Sequence, residues 1–322
     1  MESTKACSCK PLIRSDKNST QPANEEKRKV QALHEPQYEK MVYLPGGTFK
    51  MGAEGEEVRP SDGEGPVREV TLDSFYIDTT TVTNDQFSQF IQETGYVTEA
   101  ERFGWSFVFV ALLAKSKVRK LKAQTVKGLD WWFAIDGASW KKPTGSGSNI
   151  KKIMDHPVVQ VSWNDAQAYC KWSGKRLPFE AEWEYASRGG RESEIFPWGN
   201  ELVPSGKHCM NVWQGKFPLQ NTKADGYLAT APAKHYKPNG FGLYNTTGNV
   251  WEWCQDFWSA MPHSYGANNP TGPIHGDQRV CRGGSFLCHQ SYCNRYRCSA
   301  RTSNTPDSAS SNFGFRTVAS AH

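Results

Sequence analysis

The chain has 322 residues, a formal net charge of +5, and lysine and arginine residues spread along its length. Because nucleic-acid-binding and membrane-surface proteins gather basic residues into a patch or stripe, this small and dispersed charge argues against both classes of partner. No run approaches the roughly 18 consecutive apolar residues of a membrane span. Twelve tryptophans, 28 glycines and 18 prolines favour a compact fold with many turns and long ordered loops.

Residues 1–37 are rich in Lys, Glu, Ser, Asn and Gln and contain few large apolar side chains. Such a composition buries too little apolar surface to offset the entropy of ordering, so a disordered polar tail is predicted. Cys7 and Cys9 lie there without a nearby histidine or third thiol, and we assign them no role. The start also lacks the apolar stretch of a secretory signal, so we expect a cytoplasmic protein. We also expect a monomer.

The folded domain is predicted to begin after this tail. Residues 42–44 and 48–52 are typical of two short strands around a Pro-Gly-Gly turn, and residues 70–82 alternate branched and polar side chains as a strand does. Thr83 then supplies an N-cap for a helix that should end near Gly95. A strand therefore runs into a short helix.

The same order recurs in the middle of the chain. Residues 158–161 predict a strand, and residues 163–165 cap a helix that ends before Gly174. A further helix is predicted over residues 180–187, with its end at Gly189.

Residues 105–155 are harder to interpret. Their basic run, residues 117–122, is predicted to form a solvated face, and no domain boundary is required there. Beyond residue 190, short apolar pieces alternate with Gly, Asn and Pro, without a repeat of fixed period. We predict one mixed α+β domain over residues 38–320.

The densest candidate chemistry lies in residues 282–297, where Cys288 and Cys293 stand five positions apart among His, Ser, Tyr and three Arg. Two such thiols can form a disulfide, bind a metal, or act as nucleophile and resolving partner, and the spacing alone selects none of these. A zinc site would want four ligands, and the nearby additions are His289 and Cys298. Soft thiolates without such a set favour a soft ion such as Cu(I).

A resemblance narrows these alternatives. Read outward from the cysteine pair, residues 283–301, 304–308 and 312–316 resemble the C-terminal signature of formylglycine-generating enzymes. Six more motifs are similar to those of the wider sulfatase-modifying factor family: residues 44–47, 156–158, 161–165, 174–178, 180–185 and 248–253 (Gly-Asn-Val-Trp-Glu-Trp). The resemblance covers almost all of the predicted domain.

For the fold, the resemblance implies a single C-type-lectin-like core with little regular secondary structure. For function, it implies a copper-dependent oxidase that uses O2 and a thiol reductant to convert the cysteine of a Cys-x-Pro-x-Arg motif in an unfolded sulfatase to Cα-formylglycine. The wider motifs imply only the fold, whereas the cysteine pair selects the activity. Two alternatives stay open: a non-catalytic, lectin-like binding module of the same fold, and a metal-free thiol oxidoreductase.

The resemblance also implies roles for individual residues. Cys288 and Cys293 match the Cu(I) ligands. The residues that match those around the oxygen and the substrate sulfur are Ser285, Trp251, His289 and Asn312. The residues that match the substrate groove are Ser106, Tyr292 and Arg301. Trp131 and Trp132 are further candidates for the groove, although core packing is the commoner role of a tryptophan.

Two structural Ca²⁺ sites follow from the resemblance as well. The first comprises Asn211, Val212, Asp225 and Tyr227, with side-chain oxygens from the Asn and the Asp and carbonyl oxygens from the other two. The second comprises Asn245, Gly248, Val250 and Glu252. Hard oxygen ligands of this kind are what Ca²⁺ prefers.

Secreted animal members of the family carry structural disulfides, and here the matching positions differ. Cys170 and Cys298 face Thr317 and Ser187 at the expected partner positions. Both bridges are therefore predicted to be absent, which agrees with a reducing cytoplasm.

Overall fold

The computed structural model describes residues 12–14, 34–36, 38–120, 125–126, 129–262 and 266–321. The helices in these ranges are α1 Asn84–Thr94, α2 Glu99–Phe103, α3 Lys115–Lys120, α4 Trp163–Trp172 and α5 Glu180–Arg188. The strands are β1 Met41–Leu44, β2 Gly47–Met51, β3 Arg68–Leu72, β4 Phe75–Asp78, β5 Trp105–Phe109, β6 Thr125–Val126, β7 Leu129–Asp136, β8 Gly215–Lys216, β9 Gln220–Asn221, β10 Trp251–Phe257, β11 Arg279–Arg282, β12 Arg301–Asn304, β13 Phe313–Gly314 and β14 Val318–Ser320. Within the same ranges, no helix has the length and apolar character needed to cross a membrane.

The strands form small sheets rather than one large one. Their orders are β1-β4-β14, β12-β11-β10-β13, β2-β3, β5-β7-β6 and β8-β9. The β10–β13 ladder is parallel, and the other ladders in these sheets are antiparallel. Short strands and helices joined by long loops match the α+β architecture expected from the Gly, Pro and Trp content.

The predicted helices are confirmed, together with the capping residues that begin and end them. Thr83 and Gln86 form a capping box at the start of α1, and Gly95 ends that helix in the left-handed conformation. In α4 the N-cap is Ser162, one residue before the predicted cap, and its side chain accepts a hydrogen bond from the backbone N–H of Asp165. Local side-chain chemistry at the helix ends therefore fixes these segments.

Two strand predictions were wrong. Residues 70–82 do not form one strand, because β3 pairs with β2 and β4 pairs with β1 in a different sheet. Residues 158–161 form no regular strand: Gln160 has a φ of 63°, which interrupts extended backbone. The N–H of Val158 instead donates to the carbonyl of Val82, and that of Gln160 to the carbonyl of Ser310.

The region that was hard to interpret contains the β5–β7 hairpin, whose strands run from Trp105 and from Leu129. In the basic run, Arg119 is exposed, as predicted, whereas Lys117 is half-buried and its Nζ donates to the carbonyl of Thr144 at 2.9 Å. Residues 121–122 of that run lie outside the described residues.

The predicted tail, residues 1–37, lies mostly outside the described residues. Two pieces of it are described, and both contact the domain. Leu12 is buried in an aromatic cluster with Trp105 and Phe107. The N–H of His34 donates to the carbonyl of Trp172 at 3.2 Å. Residues 12–14 and 34–36 thus belong to the folded unit.

The largest apolar cluster joins the first and fourth helices to the last strands. Phe87 and Phe90 of α1 pack on Tyr169 of α4, which contacts Phe315. Cys288 belongs to the same cluster, as does Cys293. Both cysteines are therefore held by the packing of the main core.

A buried ionic cluster ties α5 to β11. Arg282, 0% exposed, donates to Glu184 at 2.5 Å and to Glu180 at 3.1 Å. Arg188 pairs with Glu184 at 2.7 Å, and Arg301 pairs with Glu180 at 2.6 Å. Glu180 and Glu184 are one helical turn apart, so both carboxylates reach the same side of α5. Each buried charge has an opposite charge beside it, which is what burial of ionised groups requires.

A further buried carboxyl, Asp256, adjoins this cluster and predicts a pH effect. Burial, and next the charge of Glu180, raise its pKa to about 8. An ordinary Asp pKa in the unfolded chain is about 4, so between these values the folded state holds a proton that the unfolded state has lost. This group's contribution to the free energy of unfolding therefore falls as pH rises, by up to about 1.4 kcal/mol per pH unit, and levels off above the folded pKa.

Urea unfolding at pH 5.5, 6.5, 7.5 and 8.5 measures this effect. The stability of Asp256→Asn relative to the unmodified chain should rise with pH up to about 8 and then stay level. Asp277→Asn, at an exposed carboxyl, is the matched control and should show no such slope. A difference for Asp256→Asn that is constant across the range would contradict the raised pKa.

Candidate functional site

The loop that carries the cysteine pair starts directly after β11. Gly283 and Gly284 have φ values of 92° and 73°, a region that favours glycine. A Cβ on Gly284 would lie 2.8 Å from the carbonyl oxygen of Arg295, on the returning part of the loop. The two glycines thus let the loop double back on itself immediately after Arg282.

The loop brings the two thiols together. Sγ of Cys288 lies 3.1 Å from Sγ of Cys293. The N–H of Cys293 donates to the carbonyl of His289 at 2.7 Å, and the N–H of Cys288 donates to the carbonyl of Ser285 at 2.8 Å. These two backbone turns set the position of each sulfur independently of any bond between them.

Burial controls the protonation of Cys288. Removal from water, followed by the hydrogen bond and charge of the neighbouring Cys293, raises the pKa of the Cys288 thiol well above its ordinary value. A hydrogen bond of 3.4 Å from the N–H of Ser285 to Sγ acts in the opposite direction and is the weaker influence. Unless a metal ion binds it, Cys288 is therefore a protonated thiol at neutral pH.

A short chain of hydrogen bonds runs beside the sulfurs. Oγ of Ser310 bonds to Oδ1 of Asn312 at 2.7 Å, and Nδ2 of Asn312 donates to Oγ of Ser285 at 2.9 Å. The N–H of Trp251 donates to the carbonyl of Asn312 at 2.9 Å. Of the residues predicted around the oxygen and the substrate sulfur, the structure therefore brings Ser285, Asn312 and Trp251 together.

One pocket opens onto this group. Its described lining combines the cysteine loop with aromatic and β12 residues: Leu12, Phe109, Trp131, Trp132, Phe217, Trp251, Ser285, Leu287, Cys288, Tyr292, Cys293, Thr302, Ser303, Asn304, Asn312 and Phe313. The predicted groove residue Tyr292 is among them, and both tryptophans that were candidates for the groove line it too.

Three aromatic rings form one wall of the pocket, which we call the aromatic wall: Trp131, Phe217 and Tyr292. Phe217 and Tyr292 stack with ring centroids 4.2 Å apart, and Trp131 meets Tyr292 edge-on at 5.3 Å. Phe217 was not predicted, because Phe-Pro in a Gly- and Lys-rich stretch resembles an ordinary turn. Partly buried aromatic rings beside two thiols make a dry, apolar approach to the sulfurs.

The groove roles of Ser106 and Arg301 stay predictions from the resemblance, and the structure places both side chains in the interior. Ser106 is 0% exposed, and its Oγ donates to the carbonyl of Ala309 at 2.8 Å. Arg301 is buried against Glu180, and its Nη1 donates to the carbonyls of Asp62 and Ser259. Both side chains are used in holding the fold, and neither is among the described residues that line the pocket.

His289 lies at the edge of the cysteine loop. Its Nδ1 lies 2.8 Å from Oγ of Ser291, and partial burial lowers its pKa. Its carbonyl accepts the two N–H groups of Tyr292 and Cys293. Within the described part of the chain its ring does not line the pocket, so the structure gives it a role in shaping the loop.

The first predicted Ca²⁺ set is brought together by Asp225. Its carboxylate accepts the N–H groups of Val212 at 2.9 Å and Tyr227 at 3.0 Å. Oδ1 of Asn211 is buried and, among the described residues, has no hydrogen-bond partner. The Asp225 carboxylate also accepts from Nε2 of Gln214 at 2.7 Å, so the orphaned amide oxygen of Asn211 is the group of this set that best fits a hard cation.

The second predicted Ca²⁺ set fits less completely. Oδ1 of Asn245 is likewise buried without a partner in the described ranges. The carboxylate of Glu252, however, is held by Arg316 at 3.0 Å and by the indole N–H of Trp183 at 2.8 Å. In this set, Asn245 therefore has a side-chain oxygen available as a ligand. The remaining ligands would have to be backbone carbonyl oxygens.

The donor set at the cysteine pair suits a soft monovalent ion. Two sulfur donors 3.1 Å apart, in an apolar pocket, are a ligand pair for Cu(I) rather than for a hard cation. Zinc is disfavoured: among the described residues, no group of three or more His, Cys, Asp or Glu side chains could hold a metal ion.

Comparison with known proteins identifies the family. The family model described as "Sulfatase-modifying factor enzyme 1-like domain" matches residues 26–321. A formylglycine-generating enzyme of Thermomonospora curvata is 56% identical over 283 residues, which are 87% of this chain and 93% of that protein. The chain belongs to the formylglycine-generating enzyme family.

A relative from Mus musculus, also a formylglycine-generating enzyme, is 52% identical over 280 residues, or 87% of this chain and 75% of that protein. Among solved structures, PvdO from Pseudomonas aeruginosa superposes with a TM-score of 0.64 at 22% identity, covering 87% of this chain and 94% of that one. At this identity PvdO informs the fold alone. Family and fold together confirm the predicted single C-type-lectin-like α+β domain with long loops.

Two family disulfides were predicted to be absent, and the structure shows the position of the missing partner for one of them. Oγ of Ser187 lies 3.8 Å from Sγ of Cys298, where a bridging cysteine would stand. Burial raises the pKa of the Cys298 thiol to about 11, so this thiol is protonated and unreactive.

The closeness of the two pocket sulfurs predicts selective oxidation. Among the buried cysteines of the described ranges, Cys288 and Cys293 should be the pair that diamide joins in the metal-free chain at pH 8.5, because their sulfurs are already neighbours, and the reaction should be slow because burial keeps the Cys288 thiol protonated. Mass spectrometry of the non-reduced digest should find both residues in one bridged fragment. Cys209→Ala should leave this product unchanged, and a first bridge that involves Cys298 would contradict the geometry.

Proposed function

We propose that the chain is a formylglycine-generating enzyme that oxidises the cysteine of a Cys-x-Pro-x-Arg segment in an unfolded sulfatase to Cα-formylglycine, using O2. Membership of the family supports the reaction class. The observation that carries the proposal is the Cys288–Cys293 pair, 3.1 Å apart at the base of an open, aromatic-lined pocket. A family fold without such a pair would support binding alone.

The reaction balances as follows. Converting the substrate thiol, R–CH2–SH, to the aldehyde releases two electrons and sends the sulfur away as hydrogen sulfide. Reducing O2 to water consumes four electrons, so a thiol reductant supplies the other two and leaves as a disulfide. The aldehyde oxygen and one water account for both oxygens consumed.

We infer that Cu(I) is the redox cofactor and that Cys288 and Cys293 hold it as thiolates. Bound there, Cu(I) would supply a route for electrons to O2, which free thiols reduce slowly. Because burial raises the pKa of the Cys288 thiol, binding of the ion would have to displace a proton from it.

The chain's own side chains would orient the reactants. Nδ2 of Asn312 donates to Oγ of Ser285, so the hydroxyl hydrogen of Ser285 is free to point into the pocket beside the sulfurs. Ser310 fixes the amide of Asn312 from the other side. This arrangement supports a role for Ser285 as a polar anchor for oxygen or for the substrate sulfur.

The aromatic wall would position the substrate and exclude water. Its rings present flat, rigid faces that pack well against the proline of an extended segment. An unfolded polypeptide can lay such a segment into the pocket, whereas the same cysteine in a finished sulfatase fold would not reach sulfurs this deeply buried. This supports a substrate that is modified before it folds.

The first test is mass spectrometry of a Cys-x-Pro-x-Arg peptide incubated with the chain, O2 and a thiol reductant. With Cu(I) present, we expect a mass loss that matches conversion of the thiol to the aldehyde. Cys288→Ala and Cys293→Ala should each abolish the product, because either change removes one of the two sulfurs. Cys209→Ala, a thiol outside the pocket, is the matched control and should keep full activity.

The metal-free thiol oxidoreductase is the second candidate, favoured by the same sulfur-to-sulfur distance. It predicts the same product after a Cu(I) chelator has been added and the copper removed, whereas the copper proposal predicts loss of activity and its recovery on addition of Cu(I). An unchanged peptide with copper bound would contradict the oxidase proposal and favour the binding module.

We also propose that Ca²⁺ stabilises the fold at the first set, and at Asn245 with the carbonyls of the second. The orphaned amide oxygens of Asn211 and Asn245 support this. Binding to the folded state alone stabilises it by an amount that grows with the logarithm of the ligand excess over Kd.

Thermal unfolding with Ca²⁺ and with EGTA tests the calcium proposal. Ca²⁺ at about 100 times its Kd should raise Tm by about 5 °C or more. Asn211→Ala should remove most of this shift, Asn245→Ala a smaller part, and Asn221→Ala, outside both sets, none. Equal Tm values with Ca²⁺ and EGTA in the unmodified chain would contradict the proposal.

A cytoplasmic location, a monomeric state and the absence of nucleic-acid or membrane partners remain predictions from the sequence. The serine beside Cys298 agrees with a reducing compartment, since no bridge is needed there.

A further inference from the structure

Part of the chain's N-terminal region helps to line the pocket that holds the cysteine pair. Leu12 lines the pocket together with the cysteine pair. Its carbonyl accepts a hydrogen bond from Oγ of Ser308 at 2.5 Å, and its side chain is buried against the aromatic cluster around Trp105. A residue near the start of the chain thus covers part of the surface that leads to the sulfurs.

Arg14, two positions on, fills a pocket of its own and is only 3% exposed. Its Nε donates to the carbonyl of Asp307 at 2.8 Å, and its Nη1 donates to the carbonyl of Trp105 at 3.1 Å. Its guanidinium carbon lies 4.2 Å from the ring centroid of Phe103 and 4.9 Å from that of Trp105. Carbonyl oxygens and ring faces are a recognition site for an arginine side chain.

Two features distinguish this segment from the rest of the domain. The family model starts at residue 26, so Leu12 and Arg14 lie outside the part that it matches. Nη2 of Arg14 is buried and, within the described ranges, has no hydrogen-bond partner. The arginine is thus held incompletely, which favours a contact that another ligand can displace.

The sequence of the segment resembles the proposed substrate. Residues 9–14 read Cys-Lys-Pro-Leu-Ile-Arg, which keeps the order Cys-x-Pro followed by Arg with one extra residue before the arginine. The leucine after the proline is the residue found in the pocket. The order of proline, leucine and arginine in the sequence therefore agrees with the structure, in which Leu12 lines the pocket and Arg14 packs on the rings of Phe103 and Trp105.

We propose that the chain's own Leu12–Arg14 segment competes with the substrate polypeptide: it covers part of the surface that leads to the sulfurs, and Arg14 occupies the arginine subsite of Phe103, Trp105 and Asp307. The proposal rests on the proposed function for the identity of the substrate. Substrate must displace the segment, so its apparent affinity is reduced by the fraction of molecules in which the segment is docked.

Fluorescence anisotropy with full-length chain tests this without turnover. The probes are two fluorescein-labelled peptides in which serine replaces the reactive cysteine: Ser-x-Pro-x-Arg and the same peptide ending in alanine. In the unmodified chain and in Arg14→Ala alike, the arginine peptide should bind more tightly than the alanine peptide. Arg14→Ala should tighten binding of both peptides by the same factor, about tenfold, because the docked segment competes with either of them. Arg191→Ala, at an exposed arginine, is the matched control and should change neither.

Unchanged Kd values for both peptides in Arg14→Ala would overturn the proposal, as would weaker binding of either peptide. Thermal unfolding checks that Arg14→Ala is folded. If it is not, Arg14→Gln, which retains most of the side-chain stem, is used in its place. A peptide of residues 9–16 with Cys9→Ser, added in trans to the folded variant, should displace the labelled arginine peptide. Its version with Arg14→Ala should not, and displacement by both would also overturn the proposal.

The binding measurements and the mass-spectrometric assay together distinguish failure of the internal-competitor proposal from failure of the oxidase proposal. If the binding results are as expected but the mass-spectrometric assay yields no aldehyde, the oxidase proposal fails and the arginine subsite stands. If the aldehyde forms and Arg14→Ala does not change binding, the segment has a structural role and the reaction is unaffected.

Discussion

The buried ion pair between Arg282 and Glu184 is the constraint on which the catalytic loop depends. Arg282 ends β11, and the next residues are the two glycines at which the cysteine loop begins. Removing one partner of a buried pair leaves an uncompensated charge and costs about 3–5 kcal/mol, so the end of β11 cannot shift without a large penalty. Because α5 supplies the carboxylates, the helix and the loop are fixed relative to each other.

Helix positions were predictable because their signals are local, and the cysteine pair stood out for the same reason, although its proposed role came from the resemblance. Capping residues such as Thr83 act on backbone groups within three positions, and the cysteine pair is five positions apart. The strands β5 and β7 were missed for the opposite reason. β5 is buried at all five positions, so it has no alternation of polar and apolar residues. In residues 70–82, the alternation of branched and polar residues continues through the turn between β3 and β4. Only the long-range strand pairing shows that these two strands belong to different sheets.

The groove roles of Ser106 and Arg301 stay predictions, and both side chains already have partners within the fold. Matching by position can transfer a side chain to a site, but it cannot say whether another residue already uses it. Arg301 neutralises Glu180, which also bonds to Arg282, and Ser106 donates to the buried carbonyl of Ala309. Phe217 and Leu12 were missed because a turn-like sequence and a polar tail give no sign of the pocket that they line. Local composition predicts neither contact.

The apolar lining links the chemistry of the sulfurs to the recognition of the substrate. Rings such as Phe217 and Tyr292 remove water from the approach to Cys288, and that same burial raises the pKa of its thiol. A thiol in this state is a poor nucleophile and a poor target for stray oxidation until a cation or a ligand replaces the lost solvation. An apolar segment in the pocket, whether from the substrate or from the chain's own Leu12, deepens this burial. Occupancy of the groove and reactivity of the sulfurs are therefore governed by one physical quantity, the exclusion of water from the pocket.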